Sequence, residues 1–211
     1  MAYLGIDEIA EALLDTRDWD VGKTDFEDRA PLIWASKNGC EGIIRLLAEK
    51  AGANLDAKDP RRGQTPLSWA AHYGQEGAVK LLLERDEVNS ESPDNGGQTP
   101  LSHAAEYGSQ RIVELLLEQE EVDPDSPDRF GSTPLSYATE SSSGGVAKLL
   151  LKRNGVNPES RDEDGLTPLA FAALNGSEEI VKLVLRRGAV DPESRADNGR
   201  NIILFCCRVH E

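Results

Sequence analysis

Cysteine is scarce in this chain: three in 211 residues, Cys40, Cys206 and Cys207. They lack the spacing of metal ligands, and adjacent cysteines rarely bridge each other. They therefore read as reduced thiols, which fits a cytoplasmic or nuclear protein. Histidine is equally sparse, with His72, His103 and His210 alone. A multi-histidine metal centre has little to draw on, so no metal and no cofactor are expected. Basic residues are outnumbered, 23 Lys and Arg against 38 Asp and Glu, for a formal charge of −15. No basic run exceeds the pairs Arg61-Arg62 and Arg186-Arg187. Such a chain repels nucleic acid and anionic membranes, and neither is expected as a partner. No apolar stretch approaches a membrane span. The opening MAYLGIDEIAEALLDTRDWD has neither the basic start nor the apolar core of a secretory signal. Also missing are a P-loop, a GxGxxG between strand and helix, HExxH, GxSxG and the kinase signatures. With 38% hydrophobic and 29% charged residues, the chain has the composition of a soluble folded protein and the length of one sizeable domain.

What is present is a repeat. GQTPLS at 63–68 returns at 97–102, and GSTPLS at 131–136 and GLTPLA at 165–170 follow at the same step. Gly63, Gly97, Gly131, Gly165 and Gly199 are each 34 residues apart. Each letter has a job. Thr65, Thr99, Thr133 and Thr167 are placed to cap a helix N-terminus, with a hydroxyl for the free backbone N–H groups. Pro66, Pro100, Pro134 and Pro168 then occupy the first helical position, where a missing N–H is harmless. Gly74, Gly108 and Gly176 end that short helix in a left-handed turn. A second helix follows in each copy: GAVKLLLER at 77–85, RIVELLLEQ at 111–119, GVAKLLLKR at 145–153 and EIVKLVLRR at 179–187. Its apolar residues fall at helical spacing and its charges on the opposite face. Polar loops such as VNSESPDN and VDPDSPDR lead to the next glycine.

This pattern of turn, TPL-x-x-A helix, glycine and VxxLL-type helix resembles the ankyrin repeat. The period is one residue longer, and Ser stands fourth where the family signature has His. The TPLSWAA wording and the VDPxS loops are similar to repeats of filamentous-fungal ankyrin proteins. The resemblance implies an all-α solenoid of stacked helix-turn-helix units with hairpin-like loops. It divides the chain into an N-terminal half-repeat cap at 1–25, a divergent repeat at 26–59 with Ala30-Pro31-Leu32 in place of TPL, repeats at 60–93, 94–127, 128–161 and 162–195, and a partial repeat or cap at 196–211. Each unit leaves an apolar face that only a neighbour can cover. The resemblance further implies a monomeric scaffold that binds another protein on a concave groove and its loop tips.

In this register the positions three, six and seven after each proline border the groove. The candidates are Trp69, His72, Tyr73, His103, Glu106, Tyr107, Tyr137 and Glu140, joined at the tips by Arg61, Arg62, Arg129 and Phe130. Aromatic and arginine side chains are typical interface anchors. The ring at the third position, Trp69, His103, Tyr137 and Phe171 in turn, also reads as a packing ladder between inner helices, with His103 as the polar exception. An enzymatic alternative uses His72, His103, Glu106, Tyr107, Tyr137 and Glu140 as a converging acid–base set beside a flat apolar ligand. No catalytic residue is assigned on the recognition reading. The fourth repeat differs: Ser142 replaces the turn glycine, and Gly144-Gly145 enter the outer helix. That stretch reads as drift in a redundant array or as a soft point in the stack.

Overall fold

The computed structural model describes residues 30–50 and 53–187. Half-repeats expected at 1–25 and 196–211, with Cys206 and Cys207, lie outside the described residues. Ten helices run along the described chain: α1 (Pro31–Asn38), α2 (Glu41–Lys50), α3 (Pro66–His72), α4 (Glu76–Leu83), α5 (Pro100–Glu106), α6 (Gln110–Leu117), α7 (Pro134–Glu140), α8 (Gly144–Leu151), α9 (Pro168–Leu174) and α10 (Glu178–Arg186). No strand occurs among the described residues, and no helix there is long and apolar enough to cross a membrane.

The local rules act as the sequence predicts. Thr65, Thr99, Thr133 and Thr167 are extended, and each hydroxyl accepts from the backbone N–H three residues on. Ala30, without a hydroxyl, makes no such bond. Gly39, Gly74, Gly108 and Gly176 all take positive φ at the turn between inner and outer helix. Ser142 does the same at φ 57° with a side chain attached, which costs about 1–2 kcal/mol.

Inner helices α1, α3, α5, α7 and α9 stack in one row and outer helices α2, α4, α6, α8 and α10 in another, each outer helix packing on its own inner partner. Between the rows lie Leu67, Leu101, Leu135 and Leu169, together with Leu82, Ile112, Leu116, Leu150 and Ile180, all buried. Full burial of such a side chain stabilises by about 1.5–3 kcal/mol. Ala70, Ala104, Ala138 and Ala172 are buried between the stacked inner helices, where a small side chain lets the backbones approach. The glycines of α8 also have neighbours: a Cβ on Gly145 would lie 2.5 Å from Gln110 Oε1, and one on Gly144 3.4 Å from Glu179 Oε2.

On the side of the long loops the stack is laced by carboxylates. Asp56 accepts from the backbone N–H of Asn89, Glu91 from that of Asp123, and Asp125 from that of Asn157. Glu91 is the strained member. Burial, opposed by the Asp123 N–H and reinforced by the charges of Asp123 and Glu121, pushes its carboxyl from 4.5 up to about 7. A raised folded pKa means that the contribution of Glu91 to stability is fully present below about pH 4.5 and is lost as pH rises through about 7. With solvent screening of this half-buried group, Glu91→Gln is expected to be more stable than wild type by about 1–2 kcal/mol at pH 8 and by little at pH 4.5. Urea unfolding at the two pH values checks this; an equal difference at both would place the effect outside the titration.

Candidate functional site

Each repeat carries a tight finger turn ahead of its threonine cap, organised by one aspartate. Asp94 Oδ1 accepts from the N–H groups of Gly96 and Gln98, Asp128 Oδ1 from Phe130 and Ser132, and Asp162 Oδ1 from Asp164 and Leu166. Asp59 does likewise for Arg61, Arg62 and Gln64. Successive fingers are joined edge to edge: Asn95 N–H donates to Arg62 O, Arg129 N–H to Gly96 O, and Glu163 N–H to Phe130 O.

In three of the four fingers the second oxygen of the aspartate meets the ring three residues after the proline. Trp69 Nε1 donates to Asp59 Oδ2 at 3.2 Å, His103 Nε2 lies 3.1 Å from Asp94 Oδ2, and Tyr137 OH donates to Asp128 Oδ2 at 2.6 Å. The letters that vary share one property, a flat body with a donor at its edge. His103 is therefore a regular member of the ladder, and Phe171, which has no donor, is the exception. Burial, the hydrogen bond and the charge of Asp128 all push the Tyr137 hydroxyl up. Trp69 and His103 are 5% and 2% exposed, so both are rungs of the stack that position the fingers. Phe171→Tyr is expected to supply the missing bond to Asp162 and stabilise the protein by about 1 kcal/mol, read from the urea midpoint. No gain, with the new hydroxyl left in water, would mean that the ninth position before the ring sits differently in that repeat.

The rings six and seven after the proline stand further out. Trp69 and Tyr73 stack at 5.7 Å, His72 lies 4.8 Å from Tyr73 and 4.0 Å from Tyr107, and its ring meets His103 edge-on at 5.5 Å. Lys37 Nζ sits over Trp34, Trp69 and Tyr73, and the Arg62 guanidinium over Trp69. In the angle between the second and third fingers and helices α3 and α5 is a cavity of about 340 Å³, lined by Arg62, Gln64, His72, Asp94, Asn95, Gly96, Gln98, His103, Glu106 and Tyr107. Nδ1 of His72 and of His103 are buried there without a hydrogen-bond partner. His103 Nε2 lies 3.1 Å from Asp94 Oδ2 and 3.0 Å from Gln64 Nε2, and its Nδ1 is 3.9 Å from Glu106 Oε2. Burial, then the charges of His103, Arg62 and Lys37, pull His72 down to about 4. It is an uncharged imidazole at neutral pH, able to accept a proton or a hydrogen bond.

A family model described as "Ankyrin repeats (3 copies)" matches residues 1–92, 52–128, 86–162, 119–196 and 142–210. The chain belongs to the ankyrin-repeat family. A search among curated proteins finds no match. Of the site residues read from the sequence of this ankyrin protein, His72, His103, Glu106, Tyr107 and Arg62 are brought to one cavity. Tyr73 borders it through its contact with His72. Arg61 lies exposed beside Arg62, and Arg129 and Phe130 form the exposed tip of the fourth finger. Tyr137 is tied to Asp128 and Glu140 points outward on α7; neither lines the cavity. Among the described residues no group of His, Cys, Asp or Glu is arranged to hold a metal ion.

Residue-by-residue reading passed over Asp59, Asp94, Asp128 and Asp162, and with them Gln64 and Gln98. The signal was available in D-x-x-G at 94–97, 128–131 and 162–165. In the second finger the Arg61-Arg62 pair adds one residue and hides it.

Proposed function

We propose that this ankyrin array is a recognition module, acting as a monomer in the cytoplasm or nucleus, that binds another protein along the groove between its finger turns and inner helices. The observation that carries the reading is a row of exposed rings. Tyr73, Tyr107 and Phe130 are 44%, 52% and 52% exposed, and they fall on three successive repeats along that face. A ring in water forgoes burial worth kilocalories, and aromatic side chains beside arginine are the usual anchors of a binding surface. The finger turns are rigid, bonded to each other through their backbones, so the surface is organised before a partner arrives. Ankyrin repeats are generally protein-interaction modules, and the fungal wording of the repeats points to such an organism as the source.

The test is affinity capture from the source cell, with the double variant Tyr73→Ala, Tyr107→Ala in parallel. Loss of two such anchors is expected to weaken a groove partner about 100-fold. A variant that keeps its helical circular dichroism and every partner sinks the reading. The cavity also supports a second reading, a small flat ligand held or turned over beside His72. On that reading His72→Gln removes ligand binding or turnover while protein capture persists. His103→Ala cannot make this distinction, because His103 anchors the third finger.

A further inference from the structure

We propose that the groove receives an acidic side chain of the partner, an aspartate or glutamate held between Lys37 and Arg62. The inference rests on the groove being a protein-binding face and says what chemistry the partner brings to it.

Its starting point is charge. Acids outnumber bases 38 to 23, and three cations elsewhere on the stack pair with them: Arg85 with Glu49, Arg111 with Glu114, Lys182 with Glu178. Lys37 and Arg62 face rings instead. Lys37 Nζ lies 5.1, 5.4 and 4.9 Å from the centroids of Trp34, Trp69 and Tyr73, and Arg62 lies 5.8 Å from that of Trp69. A ring face steadies a cation without neutralising it. The two side chains come from different repeats, α1 and the finger before α3, and converge on one indole. Two cations steadied on one indole form a site for an anion.

The neighbouring imidazole reports the same field. After burial, His103, Arg62 and Lys37 pull His72 down. Its buried Nδ1 has no hydrogen-bond partner, so as the Nδ1–H tautomer of the neutral ring it can donate to an incoming carboxylate. The opposite wall decides the size of the anion's charge. Asp94 and Glu106 line, with Arg62 and His72, the adjoining cavity from the third finger and α5, and they repel a phosphate dianion more than a carboxylate. The protein surrounding the site has the wrong sign to gather anions from solution, so the acid must arrive as part of a segment whose other contacts hold it there. The exposed Tyr73 and Tyr107 beside the site, 44% and 52% exposed, supply those contacts.

The experiment uses the full chain against a randomised displayed-peptide library, with the selected peptides then synthesised and titrated by calorimetry. Groove binders are those that Tyr107→Ala weakens. They are expected to share an Asp or Glu. Replacing it by Asn or Gln should cost about tenfold in affinity on wild type and less than about twofold on Lys37→Gln, Arg62→Gln. The preference should return in Lys37→Arg, Arg62→Lys, which keeps the charges. Phosphoserine at that position should bind no tighter than aspartate, and millimolar inorganic phosphate should not compete. Groove binders without an acidic preference, an equal loss on both proteins, or a marked gain from phosphoserine overturns the proposal. A library that gives no peptide sensitive to Tyr107→Ala overturns the groove reading itself.

Discussion

Asp94→Ala is expected to destabilise the protein by about 3–5 kcal/mol, far more than an ordinary loop substitution. The Asp94 side chain is 7% exposed and satisfies three donors: the N–H groups of Gly96 and Gln98 through Oδ1, and His103 Nε2 through Oδ2. Burial works against its charge, but His103 and the two backbone donors outweigh it and hold the carboxyl below its ordinary value. Deleting the side chain leaves those part-buried donors without their acceptor, and each unmet donor costs about 1–3 kcal/mol. The internal control is Asp162→Ala. Asp162 organises the same turn through Asp164 and Leu166, but the ring behind it is Phe171 and asks for nothing. Its loss should cost only about 1–2 kcal/mol. Urea unfolding of both variants provides the comparison. Equal losses would show that the ring–aspartate bond carries no weight and that the turn alone is being measured. The depressed pKa of Asp94 adds a direction: its stabilising effect is present above the ordinary carboxylate range and lost as pH falls through the lowered folded value.

Gly97→Ala should cost about 3–4 kcal/mol, and Gly155→Ala about 1 kcal/mol, although their φ angles are nearly alike. Both glycines have positive φ, 90° and 96°. A Cβ on Gly97 would lie 2.8 Å from the backbone nitrogen of Arg129 and 3.1 Å from Asp128 Cα, which belong to the next finger and cannot swing aside. A Cβ on Gly155 would meet nothing within 4 Å beyond its chain neighbours. The local cost of a left-handed alanine is common to both, so the difference between the two midpoints measures how tightly successive fingers press together. Similar losses for the two variants would mean that the fingers separate easily. In that case the ladder of bonds from Asn95 to Arg62 and from Arg129 to Gly96 is not what aligns them.

Much of the fold was legible because its rules act over a few residues. A threonine can cap only the N–H groups just ahead of it, a proline sits only where no donor is needed, and a glycine marks a turn its own backbone requires. Hence the helix starts at Pro66, Pro100, Pro134 and Pro168 and the positive φ of Ser142 could be read in advance. The candidate site was legible only in part. Register put Trp69, His103, Tyr107 and Tyr73 on one face, but register cannot say which ring is covered. Trp69 and His103 are buried while Tyr73 and Tyr107 are open, because aspartates nine and ten positions earlier draw the first pair inward.

From its own letters, then, this ankyrin chain settled where each helix begins, how each turn closes, and that every unit needs a neighbour. Only the stacked structure decided which rings remain free, that His103 anchors a finger, and that Lys37 and Arg62 share one indole. The physical reason is distance along the chain. Caps and turns are contacts within a few residues, whereas these meetings join side chains of different repeats, and they exist only once the repeats have packed against each other.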